Sequence, residues 1–230
     1  MQVSSEFSKY AKDYSSYNII QTKVIEKLLS KVKDAPQNIL DLGCGNGGLC
    51  QKIEWKYQSF VGVDFAPGML ALHPKSSSIE CIYGDFNDTE LFERLQKNSF
   101  DQIFSASALQ WAQDLERVFQ NIAKFQSNIA LALFTSNTFK TLNQTASLHP
   151  ILRSSEEIYK LQQKYFDANF EIVEYKLEFE SVREMFRYIK KSGVSASRKV
   201  LSYKQTKELI REYPLSYLEF EVVFITSRSK

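Results

Sequence analysis

The sequence predicts an α/β fold: a mainly parallel seven-stranded sheet with helices on both faces, an N-terminal helix and a C-terminal cap insertion. Three observations predict it. Strand-length apolar runs alternate with amphipathic helical stretches from Asn38 onward, a glycine-rich turn joins the first strand to the next helix, and 43% hydrophobic content over 230 residues suffices for a sizeable core. A single domain over 1–230 accommodates all of it.

Ile20, Val24, Ile25, Leu28, Leu29 and Val32 recur at helical spacing, so the first helix ends before Pro36. A strand follows at Asn38–Leu42, then the glycine turn, a short helix over Leu49–Trp55 and a second strand at Ser59–Val63. Further strands are expected at Ile79–Tyr83, Phe100–Ser105 and Ile129–Phe134, with helices at Thr89–Gln96 and Leu115–Phe125. Beyond Thr135 the pattern changes. Ser154–Phe166 and Val182–Lys191 read as helices around a period-2 strand, Phe170–Glu180, and the last strand runs from Leu218 to Thr226. Residues 136–214 are expected to form a cap or substrate-specificity insertion over the ligand edge of the sheet.

Composition excludes several classes. No apolar run reaches the roughly 18 residues of a membrane span, and no basic-then-apolar leader opens the chain, so a cytoplasmic protein without a membrane partner is expected. A net charge of +2 does not call for nucleic acid. Cys44, Cys50 and Cys81 lack the spacing of a disulfide framework or zinc site, and His73 and His149 read as isolated loop or surface residues, so no metal is expected. Met69 reads as core, and a monomer is expected.

The sharpest local signal is Asn38-Ile-Leu-Asp-Leu-Gly-Cys-Gly-Asn-Gly47, a strand running into Gly43-x-Gly45-x-Gly47. Glycine permits the tight strand-to-helix turn and a ligand approach closer than a Cβ allows. Gly43, Gly45 and Gly48 also satisfy GxGxxG, which leaves open a nicotinamide-dependent oxidoreductase. A pyrophosphate, however, needs the helix N-terminus free of acids. Asp41 beside the loop suits an ammonium instead, and in this it resembles the S-adenosylmethionine-dependent methyltransferases of Rossmann-like fold. Asp64 lies about 20 residues past the loop, where a carboxylate can accept from both ribose hydroxyls, with Phe65 next to it. In Gly84-Asp85-Phe86, the resemblance assigns Asp85 to the adenine amino group and Phe86 to the ring face.

Over nearly its whole length the chain resembles the malonyl-acyl-carrier-protein O-methyltransferases of biotin synthesis. The resemblance rests on Phe7-Ser-Lys-Tyr10-Ala-x-x-Tyr14 with Gln21, Ser105-Ala-Ser-Ala-Leu-Gln-Trp111 and Phe134-Thr135. It continues through Met185-Phe-Arg-Tyr-Ile-Lys-Lys-Ser-Gly-Val194 and Tyr213-Pro-Leu-Ser-Tyr217. Asn46 departs from a frequent proline, and the cap is short. The resemblance implies S-adenosylmethionine as cofactor, S-adenosylhomocysteine as product, and Tyr10, Tyr14, Gln21, Asp41, Gly43, Gly45, Asp64, Phe65, Asp85, Phe86 and Ser105 around it. It further implies an acyl-carrier protein bearing malonyl-phosphopantetheine, or malonyl-CoA, as partner. Another small carboxylic acid is the alternative acceptor.

Methyl transfer to a carboxylate already ionised at pH 7 needs no general base, only positioning in a dry site. Arg187 and Lys190, one helical turn apart, read either as a solvated basic face or, as the resemblance implies, as the clamp for the malonyl carboxylate, arginine first because its planar fork grips two oxygens. Gln110 and Trp111 follow the fourth strand, next to where the methyl group must lie, and Trp111 either walls the acyl pocket or fills the core. Tyr10 and Tyr14 share a helical face that either lids the cofactor or packs on the sheet. Lys190, Lys191, Arg198, Lys199, Lys204 and Lys207 form the densest basic stretch, suited to an acidic carrier.

Overall fold

The computed structural model describes residues 18–191 and 203–227. Helix α1 (Ile19–Ser30) precedes β1 (Asn38–Leu42), α2 (Gly48–Lys52), β2 (Ser59–Asp64), α3 (Pro67–Leu70), β3 (Ile79–Tyr83), α4 (Thr89–Leu95) and β4 (Gln102–Ala106). A 3₁₀ turn (Leu109–Trp111), α5 (Leu115–Ala123), β5 (Asn128–Phe134), α6 (Lys140–Thr145), α7 (Ser155–Tyr165) and β6 (Ala168–Glu178) follow. The chain closes with α8 (Val182–Lys191), α9 (Tyr203–Glu212) and β7 (Tyr217–Ser227).

The strands form one sheet in the order β3-β2-β1-β4-β5-β7-β6. All neighbours pair in parallel except β7, which runs antiparallel to both β5 and β6. The order reverses between β1 and β4, and the crevice outside the carboxyl ends of strands at such a switch is where open α/β sheets bind ligands. The apolar strand residues divide between two cores. Leu40, Leu42, Val61, Val63 and Ile103 pack under α4, α5 and α7. On the opposite face Ile39, Phe60, Phe104, Ala130 and Phe224 pack under α1, α2 and α8. Burial on both faces explains the uninterrupted apolar runs that marked these strands in the sequence.

Several boundaries differ from expectation for local reasons. The helix expected to reach Trp55 stops at Lys52, because Ile53 is extended (φ −72°, ψ 119°) and the Trp55 indole donates back to the Pro36 carbonyl at 3.1 Å. Strand β4 starts at Gln102 rather than Phe100, because the Asp101 carboxylate accepts the backbone N–H groups of Gln37 and Asn38 at 2.9 and 2.8 Å and fastens the start of β1. Helix α7 starts where a capping box forms, Ser154 and Glu157 satisfying each other's backbone N–H. Segment 136–214 divides: α7 packs on α5 and β6 is the sheet's edge strand, leaving α6, α8 and α9 outside the sheet.

Candidate active site

Where β1 ends, the chain turns back over β2: the N–H groups of Gly43 and Cys44 both donate to the Val63 carbonyl, at 2.8 and 3.0 Å. Gly43, Gly45 and Gly47 have φ of 78°, 55° and 83°, a left-handed region that costs other residues about 1 to 2 kcal/mol. Their surroundings differ. A Cβ on Gly43 would lie 2.2 Å from the Ala108 Cβ, and one on Gly47 2.4 Å from Pro74 Cδ, so these two are fixed by packing. A Cβ on Gly45 would meet nothing within 4 Å. The loop therefore offers its open side at Gly45.

Two carboxylates flank that opening. Asp64, 8% exposed, accepts the Gly45 N–H at 2.9 Å and the Ala66 N–H at 2.8 Å. Burial pushes its pKa above the usual range, against the lowering by these N–H groups and that of Phe65. Phe65 is half-buried. Asp41, 1% exposed, has no hydrogen-bond partner at Oδ1, and burial first, then the neighbouring Asp64 charge, pushes its pKa up to about 8. A buried carboxylate lacking a donor is costly. An ammonium supplies both the donor and the charge, so these residues fit the methionyl end of S-adenosylmethionine. A pyrophosphate does not fit: the Gly45 N–H it would need is already bound to Asp64, and helix α2 behind the loop has only five residues.

At the end of β3, the Gly84 N–H donates to the Asp64 carbonyl at 3.1 Å, which brings the third acid beside the second. Asp85 Oδ1 accepts both the backbone and the side-chain N–H of Asn87, each at 2.8 Å. Asp85 thus also shapes the turn into α4. Phe86 is buried in the core below the loop, with one ring carbon 3.9 Å from where a Gly43 Cβ would stand.

Ser105 is fully buried and donates to the Leu42 carbonyl at 2.6 Å, so its hydroxyl fastens β4 to β1 at the switch point and is committed within the fold. Next to it, Ser107 adopts φ 63°, and Gln110 Nε2 donates to the Ser107 carbonyl at 2.7 Å. Gln110 Oε1, Ser107 Oγ and, on α1, Gln21 Oε1 are buried and without hydrogen-bond partners. Left-handed backbone at Ser107 and these unpaired buried polar atoms give this edge hydrogen-bonding capacity that the fold itself does not use. Trp111 is half-buried in the 3₁₀ turn. Nothing in the sequence marked Ser107, because serine is not a usual left-handed residue.

Arg187 is exposed, on the side of α8 opposite the buried Met185 and Ile189, and Arg183 is exposed one turn before it. Tyr10, Tyr14, Arg198 and Lys199 lie outside the described residues, as do the side chains of Lys190, Lys191 and Lys204. Lys207 is exposed on α9. His73, expected in a loop or at the surface, lies in a loop but is 3% exposed: its ring occupies space that Gly47 and Gly62 leave free and stands 5.8 Å from the Phe60 ring. Cys44 and Cys50 are buried, Cys81 is exposed, and Met69 is core. Among the described residues, no cluster of His, Cys, Asp and Glu could hold a metal ion, and no helix is long and apolar enough to cross a membrane.

Residues 39–127 match the family described as "Methyltransferase domain". A malonyl-[acyl-carrier protein] O-methyltransferase of Acetivibrio thermocellus is 27% identical over 97% of this chain and 92% of its own length. One of Ilyobacter polytropus is 26% identical, over 98% and 94% respectively. Among solved structures, the YcgJ protein of Bacillus subtilis superposes with a TM-score of 0.61 at 13% identity, covering 89% of this chain and 97% of that one. A Haemonchus contortus N-methyltransferase in complex with S-adenosylhomocysteine superposes with a TM-score of 0.55 at 17% identity, over 91% and 52%. The architecture is the Rossmann-like methyltransferase fold.

Proposed function

We propose that this S-adenosylmethionine-dependent methyltransferase esterifies the free carboxylate of a malonyl thioester on acyl-carrier protein, the step that primes pimeloyl synthesis for biotin. The observation that supports this acceptor is the span of the likeness: it runs beyond the cofactor half, through cap and last strand, in relatives named for that reaction. The proposal includes a cytoplasmic monomer.

Asp41 and Gln21 would accept hydrogen bonds from the cofactor's ammonium, Asp64 would take the ribose, and Asp85 with Phe86 the adenine. When bound, the cofactor supplies a methyl group made electrophilic by its sulfonium. The protein's own work is positional. Gln110 and Trp111, on the turn that Ser107 and Gly43–Ala108 packing hold against the glycine loop, would wall the acyl chain. Arg187, with Lys190 second, would grip the carboxylate, and closure of α8 would exclude water so that each contact strengthens. Tyr10 and Tyr14 would cover the cofactor. No side chain is asked to remove a proton, because the attacking carboxylate is ionised at neutral pH.

The test supplies labelled S-adenosylmethionine with malonyl-carrier protein, malonyl-CoA or free malonate, and looks for a base-labile methyl ester. Ester on the carrier-bound substrate, ahead of free malonate, is expected. Equal esterification of free dicarboxylic acids would overturn the acceptor, and no ester from any of them would overturn the reaction.

A further inference from the structure

We infer that Arg153 and Asn87 are positioning residues that hold the segment after Trp111 from two sides, so that the adenosyl and acyl ends of the site share one hydrogen-bonded brace. The inference rests on the proposed reaction for the meaning of the two ends, but not for the brace itself.

After the 3₁₀ turn the chain leaves regular structure, with Ala112 extended (φ −60°, ψ 129°), and its backbone groups must find partners elsewhere. Arg153 supplies two of them: Nη1 donates to the Ala112 carbonyl at 2.9 Å and Nη2 to the Gln113 carbonyl at 3.0 Å. A planar fork on two successive carbonyls fixes both position and orientation, which the single ammonium of lysine cannot do. The Arg153 carbonyl in turn accepts the Ser136 N–H at 2.9 Å, in the loop just past β5. On the other side, the Gln113 N–H donates to Asn87 Oδ1 at 2.9 Å, and Asn87 Nδ2 donates to Asp85 Oδ1. Arg117 Nη2 steadies Asn87 by donating to its carbonyl at 3.0 Å. The chain of contacts therefore runs Asp85, Asn87, Gln113, Arg153, Ser136, across the ends of β3, β4 and β5.

Two physical consequences follow. The turn bearing Gln110 and Trp111 cannot drift outward without breaking charge-assisted bonds to Arg153. A ligand that engages the Asp85 carboxylate acts on a group whose Oδ1 is already tied, through Asn87, to the same turn. Arg153 also stands next to Glu157, at the capped start of α7, so a purely structural role at that helix is the competing account.

The chain has two tryptophans, so Trp55→Phe leaves Trp111 as the only indole emitter. In that background, S-adenosylhomocysteine is titrated into the parent, Arg153→Gln, Arg153→Lys and Asn87→Ala proteins while Trp111 emission is followed. We expect a ligand-induced change in the parent that falls by at least about half in all three variants, with ligand affinity in the Arg153 variants held within roughly threefold. For the malonyl-carrier reaction, Arg153→Gln and Arg153→Lys are expected to lower kcat about tenfold with the KM for S-adenosylmethionine little changed, because a misplaced wall loosens the reacting geometry. The double variant Arg153→Gln/Asn87→Ala should be clearly less impaired than the product of the single losses. Full activity in Arg153→Lys, strictly multiplicative losses, or losses that track thermal stability alone would overturn the brace. Should the parent esterify nothing, the proposed reaction fails while the Trp111 titration still decides the brace.

Discussion

Replacing Asp41 with asparagine should stabilise the free protein and weaken its cofactor at once, with the first effect growing as pH rises. Folded, Asp41 holds its proton up to about pH 8, whereas in the unfolded chain it titrates at its ordinary value near 3.8. Between those values the folded state binds more protons than the unfolded one, so stability falls with rising pH, by at most about 1.4 kcal/mol per pH unit. From about pH 6 to about pH 7.5 the loss attributable to this one carboxyl is therefore about 2 kcal/mol, the curve flattening as pH nears 8. Asparagine cannot ionise, so the difference in stability between variant and parent should grow by that amount over the same interval. Urea denaturation of both proteins at the two pH values measures it, with unchanged m-values certifying the comparison. Parallel pH dependence in the two proteins would refute the assignment of a buried, donor-starved carboxyl. Adding S-adenosylhomocysteine should reverse the order: its ammonium draws the parent's Asp41 into the charged form, releasing close to one proton per ligand near neutral pH. Calorimetry in two buffers of different ionisation enthalpy reads that proton directly.

Asp64→Ala should abolish measurable S-adenosylhomocysteine binding, since it frees the Gly45 N–H as well as removing the proposed ribose acceptor, while Arg187→Ala should leave that affinity intact and slow turnover; calorimetry and steady-state kinetics on the two variants separate these roles, and equal binding loss would contradict the division. Gly43→Ala should destabilise the fold by more than about 2 kcal/mol through its clash with Ala108, whereas Gly45→Ala should cost about 1 kcal/mol and act chiefly on cofactor affinity; denaturation and titration of both variants test the contrast. Reversing Lys191 and Lys199 to glutamate should weaken turnover of the carrier-bound substrate more at low salt than at high salt, read as kcat/KM against ionic strength, and unchanged kinetics would remove the docking role.

The fold was legible because its strands are buried on both faces: runs such as Ile129 to Phe134 leave no polar alternation to mislead. Helices of one or two turns escaped. Pro67–Leu70 and Lys140–Thr145 are too short to show a period, and α9 carries few apolar residues among its charges. In the candidate site, the juxtaposition of Gly43, Gly45, Asp41 and Asp64 was legible because a backbone requirement and a charge requirement fall within a fixed local spacing. Arg153 was not, because its partners lie 40 and 41 residues away and are backbone carbonyls, which no side-chain pattern reveals. Ser105 illustrates the opposite error of position without direction: it stands at the switch point, yet its hydroxyl answers a carbonyl 63 residues earlier.

The chemistry of discrimination follows from which donors of the glycine loop remain available. In a dinucleotide site the loop's amides face the ligand's negative charge, and the loop must be kept clear of acids. Here Asp64 has taken the Gly45 amide for itself, which turns a donor-lined cradle into an acceptor-lined one. The second acid, Asp41, then lies close enough for its charge to be opposed by Asp64, and the pair shares a need for positive charge that no described residue supplies by a salt bridge. A ligand bearing a cationic group would therefore lower the cost of charging these two carboxylates.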